Sequence, residues 1–403
     1  MIPELRKQFN EKFSEAAYRQ YLEDLEAPYP GALDFRVAET PLFIPAVFRD
    51  QMLEACEHII DVITAPDFIK QSESAIPANY SVPNQDVHPQ CLVFDFGICE
   101  QETGLYEPQL IEMQGFPSLF GYQLWHEQVT RRHFAIPPGF TAYLQGYDPK
   151  SYRDFLQEMI VGKHAPESVI LLEIFPHRQK TRIDFYCTEE YTGISIVCIT
   201  ELEKEGQQLF YRKNGKKIRV TRIYNRIIFD ELQQQPTEVQ EKGKLLFEAL
   251  DVEWVPHPNW FYRISKHTLT FIQHRYVPET RFLSQITQWP TDLENYVLKP
   301  LFSFAGQGVI IDLTLADLEN IKDPSNWILQ RKVTYADAIQ TPDGPAKAEI
   351  RLFFFWKEGT PRPVAVNNLA RLSKGKMIGV RYNKDKSWVG GTVAYFEAQE
   401  RAE

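Results

Sequence analysis

Cysteine is sparse in this sequence and forms no pattern. The five cysteines, Cys56, Cys91, Cys99, Cys187 and Cys198, are odd in number, and no two stand at CxxC spacing. That disfavours a disulfide framework or a thiolate zinc site and predicts buried, reduced thiols in a cytoplasmic protein. Long apolar runs are missing too. No stretch reaches the roughly eighteen apolar residues that a membrane-spanning helix needs, so no membrane partner is expected. The first residues, MIPELRKQFNEKF, carry charge from Glu4 onward and lack the apolar segment of a secretory leader. There is no excess of positive charge. The formal net charge is −10, which argues against a nucleic-acid partner, because duplex binding needs a concentrated basic surface. A single basic pocket is still allowed, since net charge says nothing about one site. Neither GxSxG nor HExxH occurs, which removes support for hydrolase triads and zincins. His177, His257 and His267 do not stand at metal-ligand spacing and are expected to be structural.

What is present is ordinary for a globular chain. Hydrophobic residues make up 43% and charged residues 24%, enough for a large core without metal or disulfide staples. At roughly 100–200 residues per domain, the length suggests two to four packed units. Residues 1–90 read as mainly helical, with helices predicted over Glu4–Leu25 and Pro45–Ile63 and a loop over 72–89. Residues 91–165 begin with two short strands, CLVFDFGI and PQLIEMQ, a hairpin with acidic residues on one face, and continue mainly as helix. Residues 166–262 alternate strands (SVILLEIF, GISIVCIT) with helix (TRIDFYCTEEY), as an α/β layer does. Residues 263–403 start with a predicted helix, SKHTLTFIQHRY. They go on to the strands YVLKPL, VIIDL, WILQRKV, AEIRLFFFW and PVAVNNLARLS.

The chemistry-bearing residues concentrate in that last block. YVLKPLFSFAGQGV places Lys299 at a strand end, ahead of Gly306 and Gly308. A lysine on a strand fixes a compact positive charge, and glycines let backbone N–H groups approach phosphate oxygens. The same residues equally describe a hairpin turn beside a solvated lysine. In WILQRKV a strand edge could offer a carbonyl and an N–H to adenine, and Asp337 could accept from ribose hydroxyls. Arg178, Arg182 and Asp184 follow a strand carboxyl end, where α/β units bind ligands, and are weak substrate-site candidates.

Together these residues resemble the nucleotide half of the ATP-grasp family. Lys266 stands as the early lysine. Lys299-Pro300 and Ser303 to Gly308 stand as the Lys-Pro strand and Gly-rich loop, and Gln330 to Val333 as the adenine strand. The resemblance implies ATP phosphates on Lys266 and Lys299 and at the loop residues Ser303, Gly306 and Gly308. It places adenine at the backbone of Arg331 and Val333 beside Gln330, and ribose at Asp337. An ordinary member would carry its metal carboxylates downstream, and this chain has no such strand after Arg371. VFDF and LIEMQGFPS lie upstream instead, which resembles the circularly permuted branch typified by glutathionylspermidine synthase.

The implied fold is mixed α+β and α/β: a permuted ATP-grasp fold with a pre-ATP-grasp α/β domain and an N-terminal mainly helical region. The implied Mg2+ ligands are Asp95, Glu112 and Gln114, hard oxygen donors of the type magnesium takes. Glu112 and Gln114, two apart on a strand, share a face, as many structural pairs also do. The sequence departs from the family at Gln114, where Asn is usual, at Gln330, where Glu is frequent, and at Val93, where the synthetases carry arginine. Arg351 and Arg371 could supply that positive charge. The implied activity is an ADP-forming carboxylate–amine ligase taking a small-molecule acid and an amine. A nucleotide-binding module without transfer chemistry and a small-molecule kinase are the alternatives.

Overall fold

The computed structural model describes residues 2–398 except Glu102, 303–307, Lys376, Met377 and 379–382. Ser303 and Gly306 therefore lie outside the described residues. The predicted N-terminal helix is two helices, Pro3–Glu11 and Glu15–Glu26, because the Ser14 side chain caps the second by accepting from the Ala17 N–H. A short strand, β1 (Leu42–Ile44), precedes the Ala46–Thr64 helix.

The predicted hairpin is present as β2 (Cys91–Glu100) and β3 (Tyr106–Gln114). Helices Phe120–His133 and Pro149–Val161 follow, with the two-residue strand β4 (Phe140–Thr141) between them. The second of these helices starts sharply, because Asp148 and Ser151 cap each other's backbone and Pro149 sits in the first turn. The strands β5 (Val169–Glu173) and β6 (Ser195–Cys198) flank the Arg182–Thr192 helix. Next come β7 (Glu203–Glu205), β8 (Gln208–Lys213), β9 (Lys216–Val220), β10 (Arg222–Asn225) and β11 (Glu253–Val255). The last third carries β12 (Thr280–Phe282), β13 (Tyr296–Pro300), β14 (Trp327–Arg331), β15 (Lys347–Phe355), β16 (Val364–Ser373), β17 (Gly390–Thr392) and β18 (Ala394–Glu397).

Five sheets result. β11-β10-β5-β6 is parallel and lies within the segment 166–262 that was read as an α/β layer. β7-β8-β9 is an antiparallel ribbon, β12-β14-β13 a small antiparallel sheet, and β1-β18-β4 ties the N-terminal region to the chain's end. The largest is antiparallel, in the order β17-β16-β15-β2-β3. It joins strands from the first third of the chain to strands from the last.

The two faces of that large sheet differ. One packs Phe94, Phe96, Ile350, Leu352 and Leu372 against Met52, Ile59 and Ile60 of the Ala46–Thr64 helix, all fully or almost fully buried. Each such side chain contributes roughly 1.5–3 kcal/mol of burial free energy. The other face is apolar at one end, where Val93, Phe353 and Leu369 meet Phe120, Leu124 and Tyr152. Two registers further along it turns polar, and there the candidate site lies.

Two predicted elements are absent. SKHTLTFIQHRY forms only a short 3-10 turn, Thr268–Phe271, followed by a His274–Val277 bridge. Its threonines hydrogen-bond locally, Thr268 to the Arg263 carbonyl and Thr270 to the His267 carbonyl, which competes with helix. Among the described residues only Ile310 of VIIDL pairs, with Leu298. Among the described residues no helix is long and apolar enough to cross a membrane.

Candidate functional site

Strand register builds the site. Asp95 stands opposite Arg351 on one side and Glu112 on the other, and Glu349 stands opposite both Gly97 and Arg371. Residues paired across a sheet share a face, so Asp95, Glu112, Glu349, Arg351 and Arg371 converge. Arg351 grips Asp95 with two parallel bonds, Nε to Oδ1 at 2.6 Å and Nη2 to Oδ2 at 2.5 Å, and its Nη1 donates to the Ser118 hydroxyl at 3.0 Å. The Arg371 Nη2 donates to Asp95 Oδ2 at 2.8 Å and to Glu349 at 2.7 Å. The Tyr335 hydroxyl donates to the other Glu349 oxygen. Bidentate guanidinium–carboxylate bonds are the strong, geometrically specific kind.

Burial works to raise the Asp95 carboxyl, but Arg351 and Arg371 outweigh it and hold it below the usual carboxylate range. Glu349 is raised by its burial, with Asp95 adding to the shift and Arg371 opposing it. Burial works against the charge of Arg371, but its neighbours Glu349 and Asp95 outweigh it and hold the guanidinium the more firmly protonated. The Nε of Arg371 is nevertheless buried and has no hydrogen-bond partner among the described residues.

The small sheet brings the lysines. Lys299 on β13 and Gln330 on β14 lie on one face, and the Lys299 ammonium donates to Gln330 Oε1 at 2.6 Å. Gln330 in turn donates to the Thr280 hydroxyl at 2.9 Å, which fixes its amide orientation. Lys299 Nζ also lies 3.5 Å from the Ile111 carbonyl, next along β3 from Glu112. Lys266 Nζ lies 3.8 Å from Glu112. Burial pushes Lys299 down to about 8, with Lys266 adding to the shift and Glu112 and Glu349 opposing it. Burial lowers Lys266 too, against Glu112 and Asp230. Lys266, Lys299, Arg351 and Arg371 are thus gathered with the carboxylates Asp95, Glu112, Glu349 and Asp230.

The chain after β14 couples the two sheets. Arg331 ends the strand, its N–H donated to the Glu279 carbonyl and its guanidinium bonded to Asp292 over the Tyr296 ring. Val333 follows in the extended stretch beyond it. The chain then runs along β2, with the Tyr335–Cys99 bridge and the Ala336 N–H donated to Ile98 at 2.9 Å. Tyr335 lies against Gly97, where an added Cβ would sit 2.7 Å from its ring. Asp337, beyond the bridge, is exposed. Gly308 has φ +73, a conformation that favours glycine. Gln114 ends β3, half-buried and in register with Val93.

Sequence reasoning missed Glu349, Tyr335, Ser118 and Arg226. Arg226 follows β10, bonds the Ser118 carbonyl at 3.2 Å and keeps a buried Nε without a partner among the described residues. The run LIEMQGFPS already held Ser118, and a buried arginine directly after a parallel strand was the available signal for Arg226. Arg182 is committed to Gly31 and Asp34, and Asp184 accepts from the Tyr122 N–H at 3.0 Å, so both have structural partners. Arg178 lies over Phe175, beside a shallow hollow with His177 and Cys198. Of the histidines, His257 bonds the Pro83 carbonyl and His267 the Ser74 hydroxyl, and burial lowers both. All five cysteines are buried and free.

No protein-family model matches the chain, and no curated protein sequence matches it. Among solved structures it is similar to a glutathione synthetase-like effector from Globodera pallida, determined in its apo form. The TM-score is 0.59 at 10% identity, over 96% of this chain and 98% of the other. At such identity the likeness is one of fold alone. The chain is a mixed α+β protein of several sheets that shares its fold, nearly end to end, with a glutathione synthetase-like structure.

Proposed function

We propose that the chain is an ATP-dependent carboxylate–amine ligase of ATP-grasp type with permuted strand order, which binds ATP and magnesium between the small sheet and the β2–β3 pair. One observation carries this reading: Asp95 and Glu112, from the first third of the chain, share one site with Lys299 and Arg371, from the last third. The glutathione synthetase-like name of the structural neighbour favours ligase chemistry over other uses of a nucleotide site.

The roles follow from position. Lys299 and Lys266 neutralise phosphate oxygens. Gln330 orients Lys299, and the stretch at Arg331–Val333 lies against adenine, with Asp337 toward the ribose. By the family resemblance, Ser303, Gly306 and Gly308 would also contact the phosphates. Magnesium takes one or two carboxylates and keeps waters. The half-exposed Glu112 and the amide of Gln114, on one face of β3, fit such an ion, whose charge would offset that of the triphosphate. The acid's carboxylate sits by Arg371 and Arg226, whose buried Nε groups lack partners among the described residues. The acid oxygen takes the γ-phosphoryl group, ADP leaves, and the amine then displaces phosphate from the acyl phosphate, losing a proton. No protein nucleophile takes part, and the chain contributes position and charge.

A second reading, nucleotide binding without transfer, has one observation in its favour. Val93 is packed in the apolar cluster with Phe120 and Phe353, so no cation stands at that register. Purified protein given ATP, magnesium and pools of acids and amines should release ADP only when both pools are present. ADP release without amine would favour a kinase. Tight binding with no ADP from any pool would favour the binding module. No binding of ATP by calorimetry would defeat both the ligase reading and the binding-module reading.

A further inference from the structure

We infer, on the reading proposed above, that Asp95 serves as the fixed counter-ion of Arg351 and Arg371 and stays out of the magnesium shell, leaving Glu112 as the carboxylate that faces the metal. Both Asp95 oxygens are occupied, Oδ1 by Arg351 and Oδ2 by Arg351 and Arg371 together. Three of the carboxylate's four or so lone-pair sites are thereby taken, and a magnesium ion on the remaining Oδ1 site would have to enter a side chain that is 3% exposed and stand beside two positive charges. The guanidinium groups are themselves held from behind. Arg351 reaches the Ser118 hydroxyl, and Arg371 reaches Glu349, which Tyr335 holds in turn.

Glu112 is in the opposite situation. Its side chain is 40% exposed where that of Asp95 is 3% exposed. Lys266, at 3.8 Å, is too far for a hydrogen bond. Gln114 stands two residues along the same strand face. Burying a charge is tolerated when it is paired. Here Asp95 is paired by arginine at hydrogen-bond distance, while Glu112 has a looser ion pair with Lys266 and a side chain that stays partly exposed.

The test is the gain in affinity that a divalent ion confers on a nucleotide. Adenylyl imidodiphosphate is titrated calorimetrically into the full chain, with Mn2+ and then with chelator, for wild type, Asp95→Asn and Glu112→Gln. The metal-conferred gain should stay within about twofold of wild type in Asp95→Asn and fall about tenfold or more in Glu112→Gln, the order of loss expected when a metal-site group is removed. An equal loss in Asp95→Asn would overturn the inference. A general loss of packing would weaken binding with and without metal alike and leave the ratio intact. Urea unfolding of Asp95→Asn, Arg351→Gln and the double variant, without nucleotide, gives an independent readout. The double variant should lie close to the worse single variant, because the two side chains act as one pair. Additive midpoint shifts would show that Arg351 does not hold Asp95. If the wild-type chain binds no nucleotide, the proposed function fails and the magnesium part of the inference fails with it, and the urea result then decides the counter-ion pair alone.

Discussion

Lys299 is a lysine held where its charge is costly. Burial brings it down to about 8, from an ordinary value near 10.4, so much of it is neutral in the free protein above pH 8. A triphosphate beside it favours the charged form. Nucleotide binding at pH 8.5 should therefore take up protons, while binding at pH 6.5 should take up none at this group. Calorimetry in buffers of different ionisation enthalpy measures this, and Lys299→Met should abolish the pH 8.5 uptake. The local sequence carries no mark of this shift. It singled out Lys299, Arg351 and Arg371 from their residue types and strand context. What it could not supply was the register across 256 residues that sets Arg351 against Asp95, because pairing between distant strands leaves no mark in local spacing. Glu349 escaped notice for that reason, although it lies two residues from Arg351 on β15.

At the scale of elements, the contact of Gly97 with Tyr335 links the strand that carries Gln330 to the strand that carries Asp95. A Cβ at position 97 would stand 2.7 Å from the Tyr335 ring and 3.2 Å from Ile111. Gly97→Ala should therefore cost about 1–3 kcal/mol in denaturant unfolding, as overpacking does. It should also weaken nucleotide binding several-fold by shifting the stretch that follows β14. Unchanged stability and affinity would show that this contact is loose. Element types were legible wherever period and length agreed, as in the β2–β3 hairpin, the long β15 and β16, and the Ala46–Thr64 helix. They were not legible at 265–276, where threonine side chains hydrogen-bond the backbone and interrupt a helix-like pattern. Nor were they at 309–313, where, among the described residues, a strand-like run finds a partner only at Ile310.

For the whole molecule, the decisive fact is that one five-stranded sheet is assembled from both ends of the chain. The α/β layer over 169–255 was visible in the sequence as strand–helix alternation. The sharing of a sheet between 91–114 and 347–373 was marked by no periodicity, and the permuted-family resemblance implied only that carboxylates upstream and lysines downstream serve one site. The fold likeness to a glutathione synthetase-like structure covers nearly the whole chain, so the assembly is not confined to one unit. The account turns on a single location for the triphosphate. A crystal structure of the protein with adenylyl imidodiphosphate and magnesium tests it most directly. The account predicts phosphate oxygens within hydrogen-bond reach of Lys299 and Lys266, and a metal against Glu112 with the Asp95–Arg351 pair intact. Nucleotide density elsewhere on the molecule, with Glu112 and Lys299 untouched, would contradict it.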